Sequence, residues 1–141
     1  MTDWDTIEAM VNDPVADPAT LLLASEAVLE NWIEARGEVP TTREREGFRL
    51  LALHRQGAKD EPSFNACRET CREIAFHYNL LKDGGPEQGS AQRLMMMGLV
   101  ANHLLLFIRG KMEVAGLGEF CCSSRPIRSM ESVTQVSETR G

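Results

Sequence analysis

Apolar side chains recur along this chain at intervals of three and four, the period of a helix with one buried face. Trp4, Ile7, Met10 and Val11 predict a short helix over residues 3–11. It ends at Asn12-Asp13-Pro14, because the residue before a proline is pushed out of the helical region. Asp17 as N-cap and Pro18 at the first helical position open a long helix that reaches about Arg36, with Gly37 as the left-handed stop. Leu22, Ser25, Leu29 and Ile33, with Leu21, Val28 and Trp32 beside them, form its apolar face, and Glu26, Glu30 and Glu34 its wet side. Thr41 with Glu44 three residues on reads as a capping box for a second long helix, with Phe48, Leu51 and Ala52 inward, stopped by Gly57.

A third long helix is expected from Asp60-Glu61-Pro62 to Gly84-Gly85, along the regular seam Phe64, Cys67, Cys71, Ile74, Tyr78 and Leu81. Ser90 caps a fourth that reaches about Met112. Its segment from Leu94 to Ile108 is apolar all round, so it is either buried on every side or shares a side with another chain. Gly98 inside it has no propensity reason to be there and implies a close backbone approach. Residues 113–128 read as a docked irregular segment, and 129–141 as a polar tail rich in Ser, Thr and Glu. No stretch alternates apolar and polar residues as a half-buried strand does. The expected fold is therefore all-α: an antiparallel four-helix bundle with a short N-terminal helix and an irregular C-terminal tail. Residues 1–128 would form the domain and 129–141 the flexible tail.

Composition narrows the function classes. At 141 residues with 43% apolar and 26% charged side chains, the chain can bury an autonomous core. The formal charge of −6 is uneven: residues 1–40 hold nine acids against Arg36, whereas 41–82 hold eight bases and six acids. An acidic chain without a concentrated basic stripe disfavours nucleic acid as a partner. The longest uncharged apolar run, Leu94 to Ile108, spans fifteen residues, short of the ~20 that cross a bilayer, so no membrane span is expected. Residues 1–17 carry acids and no base, unlike a secretory signal or transit peptide. A reducing, cytoplasmic location and free thiols follow as the expectation for the four cysteines.

Candidate chemistry is sparse. Cys67 and Cys71 stand at i, i+4 and share a helical face. With His77 and His103 they form the candidate metal set, and with Cys121 and Cys122 a four-thiolate alternative for zinc or an iron–sulfur cluster. The absence of a C-x₂-C knuckle favours simple packing of 67 and 71 in the core seam. His54, His77 and His103 fall one to each of three helices, where convergence would suit a metal or haem. The commoner arrangement, a buried and hydrogen-bonded histidine, is preferred for each. His103 in particular is expected to be buried, with Asn102, and to be met by His77 or Tyr78. No nucleophile elbow, dinucleotide fingerprint or phosphate loop is present, so catalytic residues are not assigned. Met95, Met96 and Met97 span too wide an arc for all to face one core, and methionine surfaces adapt to partners.

The reading ranked first is a non-catalytic interaction protein, an adaptor, regulator or assembly factor. It would act as a homodimer and through a protein partner, with Met95, Met96, Leu99, His103 and Leu106 as the contact residues. A metal- or cofactor-binding bundle ranks second and a small enzyme third. No cofactor is expected on the first reading; zinc, an iron–sulfur cluster or haem belong to the second.

Overall fold

The computed structural model describes residues 1–84 and 89–116, and their architecture is all-α. Five helices follow one another: α1 (Trp4–Val11), α2 (Pro18–Ala35), α3 (Arg49–Gly57), α4 (Asn65–Gly84) and α5 (Ser90–Ala115), with one 3₁₀ turn (Pro62–Phe64) leading into α4. Among the described residues there is no strand, and an isolated bridge joins Arg45 to Phe48. Residues 1–111 form one compact unit. A second begins at Met112; of it, 112–115 are helical and Gly116 follows at φ +70°. Helix α5 therefore runs past its expected end at Met112. The expected tail, most of the irregular segment 113–128, and Cys121 and Cys122 lie outside the described residues.

Capping explains the first two helices. Asp3 accepts the Thr6 amide at 3.1 Å and Asp17 the Thr20 amide at 2.8 Å, each satisfying a donor that the helix start leaves open. Helix α2 is central and packs against α1, α3 and α4, with Leu21, Ala24, Val28, Leu29, Trp32 and Ile33 buried. Burial reaches its polar side too. Asn31 accepts the Thr2 amide at 3.1 Å and donates to the Thr2 carbonyl at 2.8 Å, so the sequestered amide is satisfied. Glu26 and Glu30, expected on the wet side, are half-buried and share Arg49 of α3, which lies 3.7 Å from Glu26 and closer still to Glu30. Burial, opposed by the weaker pull of Arg49, raises the Glu26 pKa.

The expected helix from Thr41 does not form there; α3 starts at Arg49. Residues 43–47 offer no apolar anchor, and Gly47 sits at φ +84°. The side chain of Gln56 instead binds the Thr41 amide and the Val39 carbonyl, both at 2.8 Å, while Arg49 Nε donates to the Thr41 carbonyl at 2.8 Å. These bonds satisfy the backbone in an extended path and override helix propensity worth only tenths of a kcal/mol per residue. Glu46 at φ +56° and Gly47 complete a tight turn closed by the paired Arg45–Phe48 bonds of 2.9 and 3.0 Å. Arg72 of α4 grips the Glu46 carboxylate with two bonds, at 3.0 and 2.8 Å.

Packing is close where α2, α3 and the 3₁₀ turn meet. Trp32 and Phe64 rings sit 5.1 Å apart, and Trp32 Nε1 donates to the Gly57 carbonyl at 3.1 Å. Gly57 does end α3, but its φ is ordinary; a Cβ there would stand 3.1 Å from Trp32 and 3.3 Å from Phe64. Gly98 is the opposite case. A Cβ would meet only the Val11 carbonyl at 3.8 Å, ordinary contact rather than the close approach expected.

Candidate functional site

Helix α5 has two apolar faces, and among the described residues one is buried and the other exposed. Met97, Ala101, Leu104, Leu105 and Ile108 are fully buried and close the core. Contacts fix how α5 lies: Arg93 reaches His77 and Phe107 meets Phe64 edge-on at 6.1 Å, so α5 runs back along α4. Arg109 pairs with Glu8 at 3.7 Å and stands over Trp4 at 5.6 Å. Lys111 bonds Glu61 at 3.0 Å and Ser63 at 2.6 Å.

On the outer face, Met95 is 62% exposed, Met96 46%, Leu99 60% and Leu106 59%, with His103 exposed among them. The steps from Met96 through Leu99 and His103 to Leu106 alternate three and four, a seam of the kind that meets another helix lengthwise. A helix apolar all round was expected to be enclosed or shared; among the described residues this side is left open. His103 is thereby corrected from buried to exposed, and Asn102 to half-buried. Among the described residues neither side chain forms a hydrogen bond, and His77 and Tyr78 bond or stack elsewhere. The antiparallel register explains the miss, because His77 lies opposite Arg93, nearly three turns earlier on α5. By length and composition α5 is also apolar enough to cross a membrane, as the core helix of a folded domain can be.

The candidate metal residues are distributed differently. Cys67 and Cys71 are buried next to each other on α4, and the histidine beside Cys67 is His54 of α3 rather than His77 or His103. His77 is held by Arg93 at 3.4 Å through Nδ1, while its Nε2 lies 3.5 Å from the Glu73 carboxylate. Among the described residues no three His, Cys, Asp or Glu side chains gather as a metal site.

His54 was the residue that sequence spacing did not connect to the cysteines. Its Nε2 bonds the Phe64 carbonyl at 2.9 Å. Burial pushes its pKa down, but the Cys67 thiol and the Phe64 carbonyl outweigh burial, and the net shift is upward. Hydrogen bonding from Cys71, opposed by burial and aided by His54, lowers Cys67 to about 6. Cys71, acting as that donor and fully buried, is raised well above the usual thiol range. The arrangement is a thiol and an imidazole side by side and sealed from solvent, since Cys67 is 2% exposed. A nucleophile needs access as well as ionisation, and burial withholds that access from Cys67.

No protein-family model matches the chain. The same holds for the comparisons with curated proteins and with solved structures.

Proposed function

We propose that this protein is a helical interaction module that acts through the outer face of α5, first of all by pairing with a second copy of itself. The observation that carries the reading is the exposure of Met95, Met96, Leu99 and Leu106 on one stripe of a helix whose opposite face closes the core. Fully burying one such side chain contributes about 1.5–3 kcal/mol; scaled by the exposed fractions, the stripe offers roughly 3–7 kcal/mol per copy. Doubled in a symmetric pair, that is comparable to the ~4–15 kcal/mol cost of association, so pairing is weak and reversible. Reversible pairing suits an adaptor or regulator that exchanges its own copy for a protein partner on the same face. An antiparallel bundle is the scaffold that goes with this reading: α4 and α5 run in opposite directions, and a rigid core face keeps the outer stripe aligned.

The test is light scattering over a concentration series. The mass should rise toward twice the 15.7 kDa chain mass, and Leu99→Glu should hold the protein at the single-chain value with unchanged helicity. A wild-type protein that stays single-chain at high micromolar concentration overturns self-pairing. Flotation of that single chain with lipid vesicles, lost in Leu99→Glu, would instead assign the stripe to a membrane surface.

A further inference from the structure

A concavity of about 970 Å³ lies between the 38–45 segment, α3 and the start of α4, on residues the interaction reading does not use. Six cations line it: Arg43, Arg45, Arg55, Lys59, Arg68 and Arg72. Only two carboxylates, Glu38 and Glu44, share the lining, in a chain whose formal charge is −6. Arg72 is committed to Glu46, but Arg43, Arg55, Lys59 and Arg68 form no ion pair among the described residues. Gathering like charges around one hollow costs self-repulsion unless an anion offsets it.

The rim is also fixed in place. Gln56 and Arg49 pin the 39–41 backbone to α3, and the Glu46–Arg72 pair ties the following turn to α4. Such preorganisation is what a binding site needs to avoid ordering its own loops on contact. His54, 5% exposed, also lines the hollow, and its neighbours favour its charged form. No Phe, Tyr or Trp lines it, so there is no platform on which a base could stack. Its volume is that of a small-molecule pocket. Arginine forks match phosphate oxygens with paired donors.

We propose that this hollow binds a compact, multiply phosphorylated anion, recognised by its phosphates through Arg43, Arg55, Lys59 and Arg68 rather than by a base. Linear oligophosphates and phosphorylated polyols share that chemistry. Thr41 and Asn65 add neutral polar groups to the same wall.

Calorimetric titration at low ionic strength tests this with tripolyphosphate, inositol hexakisphosphate and a short single-stranded oligonucleotide. One of the first two should bind with one-to-one stoichiometry, and whichever binds more tightly identifies the source. The double change Arg55→Gln with Arg68→Gln removes two exposed charges that hold nothing else. It should weaken binding about a hundredfold, the combined loss expected of two charge-assisted bonds. Lys82→Glu makes the same change in net charge on α4 away from the hollow and should alter affinity by no more than about twofold. Failure of both phosphate probes to bind overturns the proposal. So does equal weakening by Lys82→Glu, which would show a diffuse field rather than a site. Tighter binding of the oligonucleotide, growing with its length, would replace it with a nucleic-acid groove.

Discussion

Two glycines in helices should respond to alanine with opposite signs. Each substitution restores helix propensity, worth up to about 1 kcal/mol in a helix interior and less at its end. At Gly98 little opposes that gain, because the new methyl meets only the Val11 carbonyl at 3.8 Å. Gly98→Ala should therefore be neutral or stabilise by up to about 1 kcal/mol. At Gly57 the methyl would stand 3.1 Å from Trp32 Cδ1 and 3.3 Å from Phe64 Cε2, both tighter than ordinary contact. Neither ring can yield easily. Trp32 is 2% and Phe64 0% exposed, and withdrawal of Trp32 would lengthen its 3.1 Å bond to the Gly57 carbonyl. Overpacking a filled core costs about 1–3 kcal/mol, which exceeds the reduced propensity gain at the last helical residue. Gly57→Ala should lose about 1–2 kcal/mol net. Urea unfolding at constant m-value measures both, with the midpoint moving down for Gly57→Ala and level or up for Gly98→Ala. A Gly57→Ala protein as stable as the parent would show that the rings of Trp32 and Phe64 can yield at this contact.

Further expectations concern the buried polar groups. Arg49→Met removes the cation shared by Glu26 and Glu30 and should cost about 2–3 kcal/mol at neutral pH, less than a fully buried pair because Arg49 is partly exposed. Glu26 has a raised folded pKa, so its destabilising charge develops as pH rises through that value; the cost of Arg49→Met should shrink by pH 4 in acid-titrated denaturation curves. Cys67 has a folded pKa near 6 against an ordinary 9.0, so the stability it adds is complete above 9 and lost as pH falls through about 6. His54, shifted upward from 6.5, opposes this over a narrower range. Thiolate absorbance should titrate near pH 6 and disappear in Cys67→Ser, while Cys67 and Cys71 label slowly in the native protein because both are buried. Titration only at ordinary thiol pH would refute the hydrogen bond from Cys71 and the pairing with His54. Gln56→Ala should cost about 1–2 kcal/mol through two lost bonds. It should also speed hydrogen exchange at the Thr41 amide, and unchanged exchange there would show that other contacts hold the segment.

The helical class, the starts of α1 and α2, and the seam of α4 were all legible in the sequence. Those features rest on local chemistry: a capping carboxylate at Asp3 or Asp17, a proline at Pro18, and an unbroken three-four spacing from Phe64 to Ile74. It also identified α5 as too apolar for its surroundings, since hydrophobicity on every side is visible without coordinates. Other features came from packing between elements. Thr41 and Glu44 carry a helix-start pattern, yet side chains of Gln56 and Arg49, several residues away, hold that segment extended. Whether His103 was covered depended on the rotation of α5 about its axis, and the core claimed Ala101, Leu104 and Leu105 instead. The pairing of His54 with Cys67 and the ring of cations from Arg43 to Arg72 likewise join separate elements. Periodicity places a residue on a face of its own helix, but which faces meet is fixed only when the helices pack, because burial is a property of the assembled core.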